Sequence, residues 1–323
     1  MKAKAIIGHR QEINILVMVF VLIAFISILN PKFLRYDNLL IIIKWTAVLS
    51  ILAIGESFVL LIGGIDLSIG SVITLTNMLI AGLLSAYNMP LPLAIFLTLA
   101  TASLIGLGQG LLAVKFSPPL PLAIPSFIIT LAMNFSLYGL VLGVSGGNPI
   151  YGLPRSYSVI GMDIGPLPVP VLILVVIVIA VFYILHKSKL GVYIYAIGGN
   201  LQAAIRSGIN VNRVRMFCFS FSSFLAGLTG IIIGSILLSG NPLVGPEWML
   251  LGIAAAVIGG VSLAGGEGTF IGPILGSLAL QVIDNGLVVL YVNPLWRDAA
   301  IGGLFLSVTL YDFIRRKKAL LGM

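Results

Sequence analysis

The stretch "VLLIGGIDLSIGSVITL", residues 59–75, sets a single carboxylate, Asp66, between two apolar runs, with Gly63-Gly64 before it and Ser68-Ile69-Gly70-Ser71 after it. Its flanks have the composition of membrane-crossing helices, and its middle has the composition of a place where a helix stops. Glycine lets the backbone leave helical geometry. Asp66 or Ser68 can accept hydrogen bonds from the unpaired N–H groups that open the next helix, and a carboxylate there meets the positive end of the helix dipole. Two readings fit. In one, Asp66 caps a helix at an inner membrane edge. In the other, a helix is broken inside the protein beside a passage, where irregular backbone is tolerated because protein surrounds it.

The rest of the chain supplies the setting. Of 323 residues, 59% are hydrophobic and only 9% charged, whereas a soluble domain needs roughly 25% charged residues to face water. This is the composition of an integral membrane protein. Ten apolar segments stand out, at 13–30, 39–62, 68–86, 91–113, 123–144, 170–186, 216–238, 249–263, 269–292 and 297–314, several of them reaching the roughly 20 residues that a spanning helix requires. The eighth is short enough to be broken or re-entrant. The first ends in Ser27-Ile28-Leu29-Asn30-Pro31 without a small-x-small cleavage site, so it reads as a retained span rather than a signal peptide. The expected fold is an all-α polytopic transmembrane bundle of about ten spans, treated as a single transmembrane domain over residues 1–323.

Charge gives the orientation. With the N-terminus inside, thirteen of the 18 Lys and Arg residues fall on inner segments, four on outer segments, and Lys44 within a span. The positive-inside rule then places both termini in the cytoplasm. It also accounts for the net charge of +8 without nucleic acid. The single cysteine, Cys218, allows no internal disulfide. Two loops are long. The outer one, 145–169, is rich in Gly and Pro; the inner one, 186–215, has a short helical pattern at its centre.

Several chemistries are absent. There is no G-x-x-x-x-G-K-[ST], no H-E-x-x-H and no CxxC, and the two histidines, His9 and His186, lie far apart. No catalytic residue, no metal site and no ATP site on this chain are expected. Lys44, Glu56 and Asp284 are the clearest ionisable residues within spans; such residues are functional candidates by default, but each also fits a helix-packing or snorkelling role. The chain reads as a passage for a solute, without an energy source of its own.

Two further motifs complete the pattern. Residues 259–276, "GGVSLAGGEGTFIGPILG", hold seven glycines that permit close helix approach and a sharp inner turn. Residues 195–209, "YAIGGNLQAAIRSGI", place Asn200 as an N-cap behind Gly198-Gly199 and put Ala203, Ala204 and Ser207 on one small-residue face ended by Gly208. That face lacks the large apolar residues of a helix resting on headgroups and is shaped to fit another protein.

Together, "LIGGIDLSIGS", "AIGGNLQAAIRSGI" and "AAVIGGVSLAGGEGTFIGPILGSLALQVIDNGL" resemble, in order and over nearly the whole chain, the permease subunits of ribose-, xylose-, arabinose- and galactoside-type ABC importers. The resemblance implies a prokaryotic inner-membrane subunit that pairs with a second permease copy, usually as a homodimer. It also implies two cytoplasmic ATPase subunits holding the ATP and Mg, and an extracytoplasmic substrate-binding protein that docks on loops 145–169 and 239–248. Gly198, Gly199, Asn200, Ala203, Ala204, Ser207, Gly208 and Ile209 then lie against the ATPase. Gly63, Gly64, Asp66, Ser68 and Gly70 become a structural break close to the pathway, with Asn77, Asn134 and Asn148 as path candidates. The sequence departs from the family at Val192, Ile205, Ala132 and Tyr138, which bears on the cargo rather than on membership. The cargo implied is a monosaccharide or a related small polar solute. The competing expectation is a self-sufficient ion-coupled carrier dependent on Glu56 or Asp284.

Overall fold

The computed structural model describes residues 2–116 and 123–293, with single positions beyond. Helices dominate: α1 (Lys2–Leu29), α2 (Tyr36–Leu61), α3 (Ile69–Ser85), α4 (Leu91–Phe116), α5 (Ala123–Ser145), α6 (Val169–Lys187), α7 (Lys189–Gly199), α8 (Leu201–Arg206), α9 (Val211–Leu237), α10 (Gly245–Ile258) and α11 (Gly272–Val289). Among the described residues, seven are long and apolar enough to cross a membrane, and the apolar α3 and α10 are shorter. The protein is a polytopic helical membrane protein. The expected span 297–314 lies outside the described residues but for single positions.

The packing follows from composition along each helix. Helices α2 and α9 are buried over most of their length, whereas α5 and α1 are hardly covered. An apolar helix buried all round is a core element, and one with an open apolar face meets lipid or another chain. Small residues let the core helices approach closely. At the crossing of α10 and α11, Gly259 and Gly272 pack backbone to backbone, and Gly276 lies against the Ala255 carbonyl.

The connection between α5 and α6 carries more structure than a long polar loop suggests. Between α5 and α6 the chain forms a 3-10 turn (Arg155–Ile160) and a two-residue hairpin, β1 (Asp163–Ile164) with β2 (Leu167–Pro168). Tyr157 anchors this cap. It is fully buried and donates its hydroxyl proton to Ile231 O at 2.7 Å, while Ser235 Oγ donates to Tyr157 O at 2.6 Å. A backbone bridge joins Ile150 to Gly240. Lys44 forms an ion pair, its Nζ 2.6 Å from Asp163 Oδ1 in the hairpin. Asn285 serves helix packing, exchanging amide hydrogen bonds of 2.8 and 2.9 Å with Asn38 of α2.

Candidate functional site

The opening motif folds as a break sealed inside the bundle. Helix α2 ends in a Schellman arrangement: Gly63, at φ +76°, donates to Leu60 O, and Gly64 donates to Val59 O, both at 2.9 Å. A side chain is strained at that φ, which is why glycine stands there. Asp66 is fully buried, and its Oδ1 accepts from Ser68 N at 2.9 Å and from Ser68 Oγ at 2.6 Å. So the aspartate does take an N–H just ahead of α3, but from inside the protein rather than at a wet membrane edge.

Backbone groups in such a place must find partners within the protein, and every N–H from Gly63 to Ser68 does. Ile65 N donates to Ser126 Oγ at 3.1 Å, Asp66 N to Glu56 Oε1 at 3.2 Å, and Leu67 N to Thr130 Oγ1 at 3.0 Å. From α4, Gln109 Nε2 donates to Ser68 Oγ at 2.7 Å, and from α9, Ser222 Oγ lies 3.5 Å from Asp66 Oδ2. Helices α2, α4, α5 and α9 thus hold one seven-residue irregular segment in shape. Sequence reasoning missed Gln109, Ser126, Thr130 and Ser222; their signal was a polar residue recurring inside otherwise apolar spans. Removing one such partner leaves a buried group unsatisfied, at about 1–3 kcal/mol. Thr130→Val is therefore expected to lower the thermal unfolding midpoint in detergent, where Ser136→Ala, whose exposed hydroxyl bonds only its own helix, leaves it unchanged.

The loop 186–215 contains two helices where the sequence suggested one. Helix α7 precedes the expected element, capped by Ser188, whose Oγ accepts from Gly191 N at 3.4 Å. Then α8 opens as expected, with Asn200 Oδ1 accepting from Ala203 N at 2.9 Å, and Gly208 follows at φ +76°. The small-residue face is corrected. Ala203 and Ser207 are exposed, but Ala204 is turned into the core at 3% exposure. Successive residues on a helix diverge by about 100°, so a one-turn helix lying on the bundle must bury part of what looked like one face. Ala204 is small enough to let it lie close. Gly199, Asn200 and Gly208 are exposed with Ala203, and Ile209 is half-buried.

Gly198 points the other way, into the bundle. It packs against Leu61 O, at the end of α2, and against Gly266 N, in the turn between α10 and α11. Gly266 N itself donates to Leu61 O at 2.9 Å. Three glycine clusters far apart in sequence, 63–64, 198–199 and 265–266, therefore meet at one point.

The path candidates do not form a group. Asn77 is fully buried and acts as a staple: its Nδ2 donates to Gly230 O at 3.0 Å and its Oδ1 accepts from Asn241 N at 2.6 Å. Asn134 is half-buried midway along α5, and Asn148 is exposed beyond its outer end. Gly70 is buried where α3 crosses the start of α10 at Gly245.

Comparison with known proteins agrees with this architecture. Residues 38–309 match the family model described as branched-chain amino acid transport system / permease component. The chain is 37% identical over 316 residues to the ribose import permease protein RbsC of Bacillus subtilis (strain 168), covering 97% of this chain and 95% of that one. It is 32% identical over 299 residues to the D-allose transport system permease protein AlsC of Escherichia coli (strain K12), covering 90% and 88%. With the autoinducer 2 import system permease protein LsrC of Photorhabdus luminescens it shares 30% over 311 residues, covering 95% and 91%. No solved structure matches. The family match over most of the chain and these full-length similarities lead to one conclusion: the chain belongs to the family of branched-chain amino acid transport system permease components.

Proposed function

We propose that this permease is the membrane-spanning subunit of a binding-protein-dependent ABC importer, carrying a monosaccharide or related small polar solute by ATP-driven alternating access. The observation that carries the reading is the inner loop. Helix α8 lies on the surface of the bundle with Asn200, Ala203 and Ser207 exposed, while α7 behind it is fixed to the core. That is the form of a handle for a separate motor subunit, and the ribose and allose permeases support the cargo class. ATP and Mg belong to the partner ATPases. A second copy, most simply the same chain, covers the open apolar face of α5 and forms the pathway with it. The substrate-binding protein docks on the folded cap at 145–169 and the neighbouring turn at 239–248. Both termini lie in the cytoplasm by the charge count, in a prokaryotic inner membrane.

The ion-coupled alternative, which depended on Glu56 or Asp284, is disfavoured by the relatives, which are permeases of ribose and allose import systems; Glu56 Oε1 accepts from the backbone of the break.

The test is purification in mild detergent from the native membrane. A stoichiometric ATPase is expected with the unaltered chain. Ala203→Glu, which places a charge on the exposed face without entering the core, is expected to lower its recovery at least tenfold. Solute accumulation on an ion gradient by the permease alone in vesicles would overturn the proposal.

A further inference from the structure

The glycine junction also has a side-chain component, the first residue of the 195–209 motif. One turn before Gly198, Tyr195 donates its hydroxyl proton to Gly268 O at 2.9 Å. Burial pushes this phenol up to about 12, so it remains a protonated donor throughout the physiological range. Helix α7 thus grips the turn between α10 and α11 at Gly268 through Tyr195, and at Gly266 through Gly198. The same Gly198 lies against Leu61 O, the last residue of α2 before the sealed break.

The three backbones are in direct contact. A Cβ at Gly265 would stand 2.9 Å from Gly63 N and 3.2 Å from Gly198 Cα, and one at Gly266 would stand 2.6 Å from Gly199 N. With no side chains between them, none can slide without the others. The turn itself is internally braced, Ser262 N donating to Glu267 O at 2.9 Å and Gly265 N to Ser262 O at 3.1 Å. Beyond the buried Ala204, Gly208, which links α8 toward α9, is exposed with no other heavy atom near the position a Cβ would take.

We infer that Tyr195 and Gly198 are positioning residues of the energy-coupling step, joining α7 to both inner turns so that a displacement of α8 reaches the α2–α3 break and the α10–α11 turn as one movement. This rests on the reading of α8 as the ATPase-facing element. Packed backbones switch between discrete arrangements rather than stretching, so a looser or displaced junction lets the ATPase cycle while the pathway stays still.

The discriminating measurement is the ATP hydrolysed per solute taken up, in vesicles holding the permease, its co-purified ATPase and the binding protein. Tyr195→Phe keeps the ring and removes one hydrogen bond; Gly198→Ala drives a methyl group into the Leu61 carbonyl. Both variants are expected to retain wild-type ATPase content. Uptake per ATP should fall roughly 2- to 10-fold for Tyr195→Phe, the range set by one hydrogen bond, and further for Gly198→Ala. Should Gly198→Ala fail to fold, Tyr195→Phe decides alone. An unchanged ratio in Tyr195→Phe overturns the proposal and leaves the importer reading standing. Loss of ATPase and uptake together, with the ratio unchanged, also overturns it, since the residues would then serve assembly. Absence of any ATPase from the wild-type preparation removes the importer reading, and this inference with it.

Discussion

Gly276→Val should yield almost no monodisperse protein from a detergent extract, while Gly82→Ala should extract as well as the unaltered chain or better. A side chain at Gly276 points into backbone: its Cβ would meet the Ala255 carbonyl and stand 2.8 Å from Gly259 N. Nothing there is the end of a flexible chain that could swing away, so α10 and α11 must separate. Overpacking a core costs typically about 1–3 kcal/mol for added methylenes that neighbours can partly absorb. Here the neighbour is a carbonyl in the last turn of α10 beside the tight Gly259–Gly272 contact, and the cost lies at or above that range. Gly82, by contrast, has no atom within reach of a Cβ, and alanine gains about 0.5–1 kcal/mol over glycine in a helix. Fluorescence-detected gel filtration of tagged extracts compares the two directly; equal recovery would show that the α10–α11 seam is not close-packed in the membrane.

The second large effect concerns Asp66. Asp66→Leu should abolish transport and lower the unfolding midpoint sharply, and Asp66→Asn should recover much of both. Leucine leaves Ser68 N and the Ser68 hydroxyl without the acceptor that serves them at 2.9 and 2.6 Å. Each buried orphan costs about 1–3 kcal/mol, and Asp66 and Ser68 are both fully buried. Asparagine keeps a carbonyl oxygen in the same place and puts an amide nitrogen where Oδ2 faces Ser222 Oγ. If the two variants behave alike, the charge and not the hydrogen-bonded turn is what the site requires. Thermal unfolding in detergent together with uptake in cells separates these outcomes.

Much of this architecture was legible from residues 59–75 and a few other runs, because membrane spans announce themselves by composition. The helix starts at Asn200 and the stop at Gly208 were also readable, since a cap and a glycine act within one turn of where they stand. What stayed hidden depends on contacts between distant segments. Gly198 and Ala204 looked like surface because nothing local says which side of a short helix a bundle covers. Tyr157 gave no sign that the loop around it folds into the outer ends of the helices. Asn77 resembled a pathway residue because an asparagine holding two helices together and one touching a solute look the same in sequence. The partners of the break, Ser126, Thr130 and Gln109, were visible only as unexplained polar positions in spans.

The sealed break also bears on how the chain is made. A membrane protein emerges from its N-terminus onward and its domains fold during synthesis, yet the irregular segment between α2 and α3 takes several of its hydrogen bonds from residues that appear much later. Ile65 waits 61 positions for Ser126, Leu67 waits 63 for Thr130, and Asp66 waits 156 for Ser222. Until α5 and then α9 enter the bilayer, two apolar helices are tethered by a loop with unpaired amides and a carboxylate. The α2–α3 hairpin is therefore an unfinished object through a third or more of translation, and the surveillance of nascent membrane proteins has its longest view of this chain at that point.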